Sequence, residues 1–556
     1  MLNYKSQSYT VFLIFISLIT VAGSVQSSEV HRRELVTGAK IQGSNGIRVS
    51  PEGLLYVASA VGSRIDVLEP RTGKKLISLG QQQGVFGPDD LAFGPDGLLY
   101  WTAFFTGEVM RMSVDGIPQR VARLGPGVNA ITFSNDGRLF VSRVFLADEL
   151  YEVDLHGLQA ARLIKRGLGG FNAMAFGPDN YLYGPLWFKG QVARINVDTC
   201  ELQVIAEGIQ TPAAVKFSPQ GVLHVLDQHE GELLTVDIST GEKNVIAYPG
   251  VGADNLDFDN RGHVYITNSH EGGVSRMLPN GRMRSLQPGG LSMPSGIAIN
   301  AQGNLVVAAT QSLRNYDSRN GKELSVIHAS IGDTNTVATP ITVSPYGEQL
   351  LVSSWFSNTV QIWDPVKQRL MESYQDFQVP LNAIAMGDDI VVAELAGHRV
   401  VRRKVDTMEL EVLMSGIAIP TGLAYKSGQL YVADWLTGNV YQLMVDGHFM
   451  STPQAIITGL KQPEGLALDE QGRLLVLETG SQKLLRINPL NSYTEILASE
   501  LEIGLPGVPG LPPSWLLSSL VIDECGKIMI TQDVTNSLRK VVLNEGGSYQ
   551  DCHRGN

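Results

Sequence analysis

Cysteine is nearly absent from this chain, with three residues in 556. That excludes a disulfide framework, although Cys525 and Cys552 are positioned to staple a polar tail, 546–556, to the body in an oxidising compartment, leaving Cys200 single. No CxxC or His/Cys ligand spacing occurs, which excludes a structural zinc site. Positive charge is scarce: 43 Lys and Arg stand against 55 Asp and Glu, a net charge of −12. Nucleic acid and an anionic membrane are therefore excluded as main partners. There is no GxSxG elbow, phosphate-binding glycine loop or HExxH, so serine hydrolase, nucleotide-binding and zincin chemistry fall away.

Long apolar runs are also missing, with one exception. Val11–Gly23 (VFLIFISLITVAG) follows Lys5 and precedes the small residues Ser24, Ser27 and Ser28. The run is shorter than the ~20 residues of a membrane span. Its order of charge, apolar stretch and small residues predicts a secretory signal over 1–24, with an uncleaved anchor as the alternative. A secreted or periplasmic protein is expected, without membrane contact beyond that segment.

Glycine is plentiful, at 59 residues. It recurs in one sentence of sequence, shown by Asp89–Gly116 (DDLAFGPDGLLYWTAFFTGEVMRMSVDG). Short alternating apolar runs broken by Pro/Gly/Asp turns are the mark of consecutive antiparallel strands. The turn glycine aligns at Gly53, Gly97, Gly137, Gly221, Gly262 and Gly303, and again at Gly347, Gly428, Gly472 and Gly526. Asn180 and a degenerate Asp388 fill the remaining two places. A spacing of roughly 43 residues suits four-stranded propeller blades, which bury their sheet faces by stacking on one another.

Twelve blades in one ring would leave a wide hole, so the reading is all-β: a tandem pair of six-bladed β-propellers at 30–289 and 290–545. Arg33–Ile41 resembles a lone outer strand, and the last repeat stops one strand short. Either the early strand closes the first ring, or it crosses to the twelfth repeat. Gly504–Trp515 (GLPGVPGLPPSW) lengthens the last spacing and is either a lid over the second ring or an irregular surface loop.

The residue preceding each inner strand should line the mouth of a central channel. In the first ring that column reads Asn45, Asp89, Asn129, Asn172, Ala213 and Asp254. Two carboxylates and three amide oxygens suit a hard divalent cation such as Ca²⁺; hydrogen bonding to channel water and backbone is the alternative. The second ring offers Ser295, Thr339, Asn382, Thr421, Glu464 and Ser518, with one carboxylate. Corner residues on the same side of ring one include Trp101, Phe104, Phe105, Arg143, Phe145, Trp187, Phe188, Asp227 and Asn268, with His229 and His270 expected as neighbours. An aromatic rim over a polar centre predicts a small-molecule site, with Trp101, Phe105, Arg143, Trp187 and His270 contacting the ligand. Ring two has Trp355, Phe356, Asp434 and Trp435 at its corners and suits a protein partner.

Asn45–Ala58 (NGIRVSPEGLLYVA) and Asp254–Thr267 (DNLDFDNRGHVYIT) resemble inner-strand motifs of the gluconolactonase/regucalcin family of six-bladed, calcium-dependent lactone hydrolases. The resemblance implies Asn172 or Asn129, with Asp254, as metal ligands. The family's first-blade Glu-Gly-Pro motif is absent, and Asn45 occupies its column. Leu98–Met112 (LLYWTAFFTGEVMRM) is similar to virginiamycin B lyase blades, and other repeats are similar to NHL repeats, which serve as interaction surfaces. The expectation is an exported Ca²⁺-type hydrolase of a lactone or ester. Asn45, Asp89, Asn129, Asn172 and Asp254 would hold the ion, and Asp254 or His229 would move the proton. A metal-dependent lyase and a non-catalytic binding protein are the alternatives.

Overall fold

The structure, a computed structural model, describes residues 31–329, 331, 336–508 and 514–542. The segment 1–24, the tail 546–556 with Cys552, and the middle of the Gly504–Trp515 loop lie outside the described residues. The described chain is all-β and forms twelve four-stranded antiparallel sheets. Eleven of them use four consecutive strands.

The second sheet shows how the repeat folds. Its strands are Pro88–Phe93, Leu99–Ala103, Glu108–Met112 and Pro118–Arg123. The inner two are buried along nearly their whole length, whereas the outer one buries only Val121. Gly97 closes the first turn by donating its N–H to the Gly94 carbonyl at 2.9 Å, with φ of 76°, a left-handed conformation that glycine adopts without strain.

In the ninth sheet the left-handed glycine is Gly387 (φ 63°), not the aligned Asp388. Met386 pairs directly with Asp389 there, so a two-residue turn replaces the longer one and shifts the column by one position.

The chain ends meet. His31–Val36 pairs antiparallel with Ser537–Val542 and completes the twelfth sheet. Of the two placements left open by the sequence, the early strand takes the crossing one, and the last sheet gains a covering strand.

Sheets pack on their neighbours. Tyr100 and Val109 of the second sheet share a core cluster with Ile131 and Leu139 of the third. Hydroxyls tie adjacent inner strands: Thr102 donates to the Asn129 carbonyl, and Thr421 to that of Pro463 at 2.8 Å. The same link joins the sixth sheet to the first, where Thr267 donates to the Asn45 carbonyl, and the twelfth to the seventh, where Thr531 donates to Ser295 at 2.6 Å. Tyr265 packs with Ile47 and Val57, and Met529 with Ile297 and Val307, across those same two junctions.

The two halves touch along a polar and aromatic seam. Ala39 N–H donates to the Leu291 carbonyl at 2.8 Å, and the Asn536 side chain donates to Ala39 at 2.8 Å. Buried Arg314 bridges Glu271 of the first half and Glu323 of the second.

Candidate functional site

A carboxylate, or Asn in the sixth sheet, ends the second strand of several sheets and fixes the loops beside it. Asp227 accepts the backbone N–H groups of Gln210, Thr211 and His229 at 2.9, 3.1 and 3.1 Å. Asp434 does the same for Ala418, Ile419 and Leu436. Asn268 orders its own corner, accepting from Glu271 N–H at 2.9 Å and donating to Val251 at 2.8 Å. These three residues are therefore spent on the scaffold.

With the loops held, the inner strands deliver their leading residues to one place. Asn45, Asp89, Asn129, Asn172 and Asp254 all line a single cleft of about 1040 Å³, open solvent at its mouth included. Asp89 is buried, and its carboxyl is held well above the usual carboxylate range by burial and by the nearby Asp254 and Asp90 charges. Asp254 touches the open space of the cleft yet lies deep, and burial raises it to about 7 against a hydrogen bond from the Gln228 amide at 3.3 Å. The Asn45 side chain accepts from Ala60 N–H at 3.2 Å. The buried Asn172 Oδ1 has no hydrogen-bond partner among the described residues.

Beside this floor lies a buried cluster of charged and polar groups. Asp90 pairs with Arg48 at 3.2 Å and accepts from Asn255 at 3.1 Å, and Lys216 is buried behind them, its pKa lowered by burial to about 8.

Aromatic rings form the walls. Trp515, Phe105, Phe104, Phe145 and Trp187 contact one another in sequence, with centroid separations of 4.4, 4.7, 6.4 and 5.1 Å. Trp515 comes from the loop expected to cover the second ring or to lie irregularly on the surface. Its flanks Leu505, Val508 and Leu516 instead pack on Met293, Val61 and Phe105, so the loop borders the first half. Trp355 and Phe356 of the second half also line the cleft.

Several candidates stand elsewhere. Trp101 has 0 % exposure and packs with Ala58, Leu91 and Leu99, because the strand runs on to Ala103 and the corner begins at Phe104. Arg143 is engaged by the Pro126 carbonyl and Glu149. The His229 side chain is 54 % exposed, beside Glu230. His270 is not its neighbour: it is buried and stacked on His328 of the second half, with ring centroids 5.3 Å apart. Burial holds both imidazoles neutral, lowering His270 to about 3 and His328 to about 4.

Sequence reasoning missed that the cleft is shared between the halves, with Met293, Thr310, Gln311 and Trp515 in its lining. The one signal for Trp515 was its place at the end of the long loop.

No family model and no curated protein matches the chain. Among solved structures, it is similar to a streptogramin B lyase, at 16% identity over 50% of this chain and 95% of that one, with a TM-score of 0.38. It is similar also to virginiamycin B lyase from Staphylococcus aureus, at 15% identity over 58% and 96% of the two chains, with a TM-score of 0.32. A third likeness is to the extracellular domain assigned to the hybrid two component system BT4673 of B. thetaiotaomicron, at 10% identity over 92% and 82%, with a TM-score of 0.33.

Proposed function

We propose that the chain closes into two six-bladed propellers, 30–289 and 290–545, and that the cleft between them is the site of an exported, Ca²⁺-type hydrolase of a small lactone or ester. The Thr267–Asn45 and Thr531–Ser295 links support closure of each ring. The observation that carries the site is the acid pair. Burial raises both Asp89 and Asp254, the Asp254 charge raises Asp89 further, neither has a basic partner among the described residues, and Asn172 offers a buried unpartnered oxygen in the same lining.

That donor set fits a hard cation through carboxylate and amide oxygens. No group of three His, Cys, Asp or Glu residues able to hold a metal occurs among the described residues, so the amides of Asn45, Asn129 and Asn172 are essential to the set. When bound, the ion supplies Lewis acidity toward a carbonyl oxygen. Asp254, with a pKa of about 7, is matched to accept and return a proton near neutral pH. Trp187 and Phe105 hold the organic body and exclude water. His229 is left out of this scheme because its side chain faces solvent.

A binding role without catalysis is the second reading. Among the described residues the two aspartates are the only titratable groups lining the cleft, so if both hold the ion, no side chain remains to move a proton.

The test is calorimetric titration with CaCl₂ at pH 8, followed by a lactone and aryl-ester panel. Stoichiometric binding with Ca²⁺-dependent turnover supports the hydrolase. Binding without turnover sinks the catalytic reading, and absence of Ca²⁺ binding sinks the cation site.

A further inference from the structure

Three features of the cleft lining bear on what it binds. The first is charge. Among the described lining residues there is no Lys, Arg or His, and both ionisable groups are acidic. A carboxylate or phosphate entering this space would lose its water and find no counter-charge among the described lining residues.

The second is the rings. The arc from Trp515 to Trp187 is continuous, each ring touching the next, and it spans both halves of the chain. The indole N–H of Trp515 already donates to the Ser63 hydroxyl at 3.2 Å, so this residue offers the ligand its ring and not its polar edge. Trp355 and Phe356, 5.8 Å apart and half-buried, add rings from the second half to the same lining. Ring faces carry negative potential and favour an organic cation over a neutral molecule of the same shape.

The third is rigidity. Phe145, Met293, Thr310 and Thr339 all line the cleft in left-handed backbone, with φ of 68°, 55°, 36° and 38°. Non-glycine residues persist there only where the surrounding structure fixes them, and such strain gathers at ligand sites.

We propose that the cleft selects a ring-bearing organic molecule without negative charge, and that Trp355 and Trp515 set this selectivity from the second half. This deepens the reading of the cleft as the ligand site and is independent of whether an ion is bound. The second half is thus a wall of the binding site as well as a neighbouring unit.

The experiment uses the full chain in EDTA and three probes of one shape: 2-naphthylmethylammonium, 2-naphthylmethanol and 2-naphthoate, titrated by calorimetry. The ammonium should bind at least threefold tighter than the alcohol, and the carboxylate at least tenfold weaker than the alcohol. Trp355→Ala and Trp515→Ala should each weaken the alcohol fivefold or more, whereas Trp435→Phe, outside the lining, should leave it unchanged. Trp355 is half-buried, so its variant reads the effect even where loss of Trp515 unfolds the seam. Naphthoate binding as tightly as the alcohol, or an unaltered Trp355→Ala, overturns the proposal. Loss of Ca²⁺ binding alone would overturn the cation site and leave this ligand class standing.

Discussion

Asp89 and Asp254 come from the second and sixth sheets, and the charge on Asp254 helps hold the Asp89 carboxyl in its protonated form. Two buried acids that oppose each other's ionisation titrate as a pair. A cation must displace the protons they retain, so Ca²⁺ affinity should rise with pH through about 7, where Asp254 loses its proton. Asp254→Asn should lower the Asp89 pKa, read from the carboxyl chemical shift.

Stability should follow the same protons. A carboxyl whose folded pKa lies above its unfolded value contributes stability at low pH that is lost as pH rises. For Asp254 that loss falls between about 4 and about 7. Calcium should restore it: a ligand at one hundred times its Kd adds about 2.7 kcal/mol. Thermal melting at pH 8 should therefore show a Tm raised by CaCl₂ and lowered again by EDTA, with no such response in Asp254→Asn.

The buried imidazole stack acts with the opposite sign. His270 and His328 have folded pKa values below that of a free imidazole, so the unfolded chain binds protons first. Stability from this pair is complete above about 6.5 and is lost as pH falls toward 4. His328→Gln should flatten the acid limb of a stability curve measured by urea unfolding between pH 4 and 7.

The corner carboxylates predict a purely structural effect. Asp227→Ala removes one acceptor shared by several loop N–H groups and should cost about 3 kcal/mol in chemical denaturation, in line with hydrogen bonds to a charged group.

Arg48→Ala should cost about 3–5 kcal/mol, because it leaves Asp90 buried and unpaired beside the cleft floor. Asp90→Asn in the same background should recover part of the loss, measured by the same denaturation.

The twelve units were legible because each turn needs a left-handed residue, and Gly97 and its counterparts recur for that reason. The ninth unit slipped because its left-handed glycine, Gly387, stands one residue before the aligned Asp388. The column from Asn45 to Asp254 was equally legible, being periodic, and all its members but Ala213 line one cleft. Trp101 was misplaced by assuming a short strand: Thr102 and Ala103 are consumed before the corner turns at Phe104. His270 could not be placed from its repeat, because what buries it, His328 and Arg314, belongs to the other half and follows no period. The shared cleft was hidden for the same reason, since Met293 and Trp515 lie outside the repeated unit.

The most direct measurement is a calorimetric Ca²⁺ titration of the wild-type chain, Asp254→Asn and Glu464→Gln, all at pH 8. Glu464, a buried carboxylate of the second half, is raised by burial to about 8 and accepts from Trp435 and Ser518. One site in the wild type, retained in Glu464→Gln and lost in Asp254→Asn, is the expected result. A Ca²⁺ isotherm that Asp254→Asn leaves unchanged, or none in the wild type, would contradict a cation held by the acid pair.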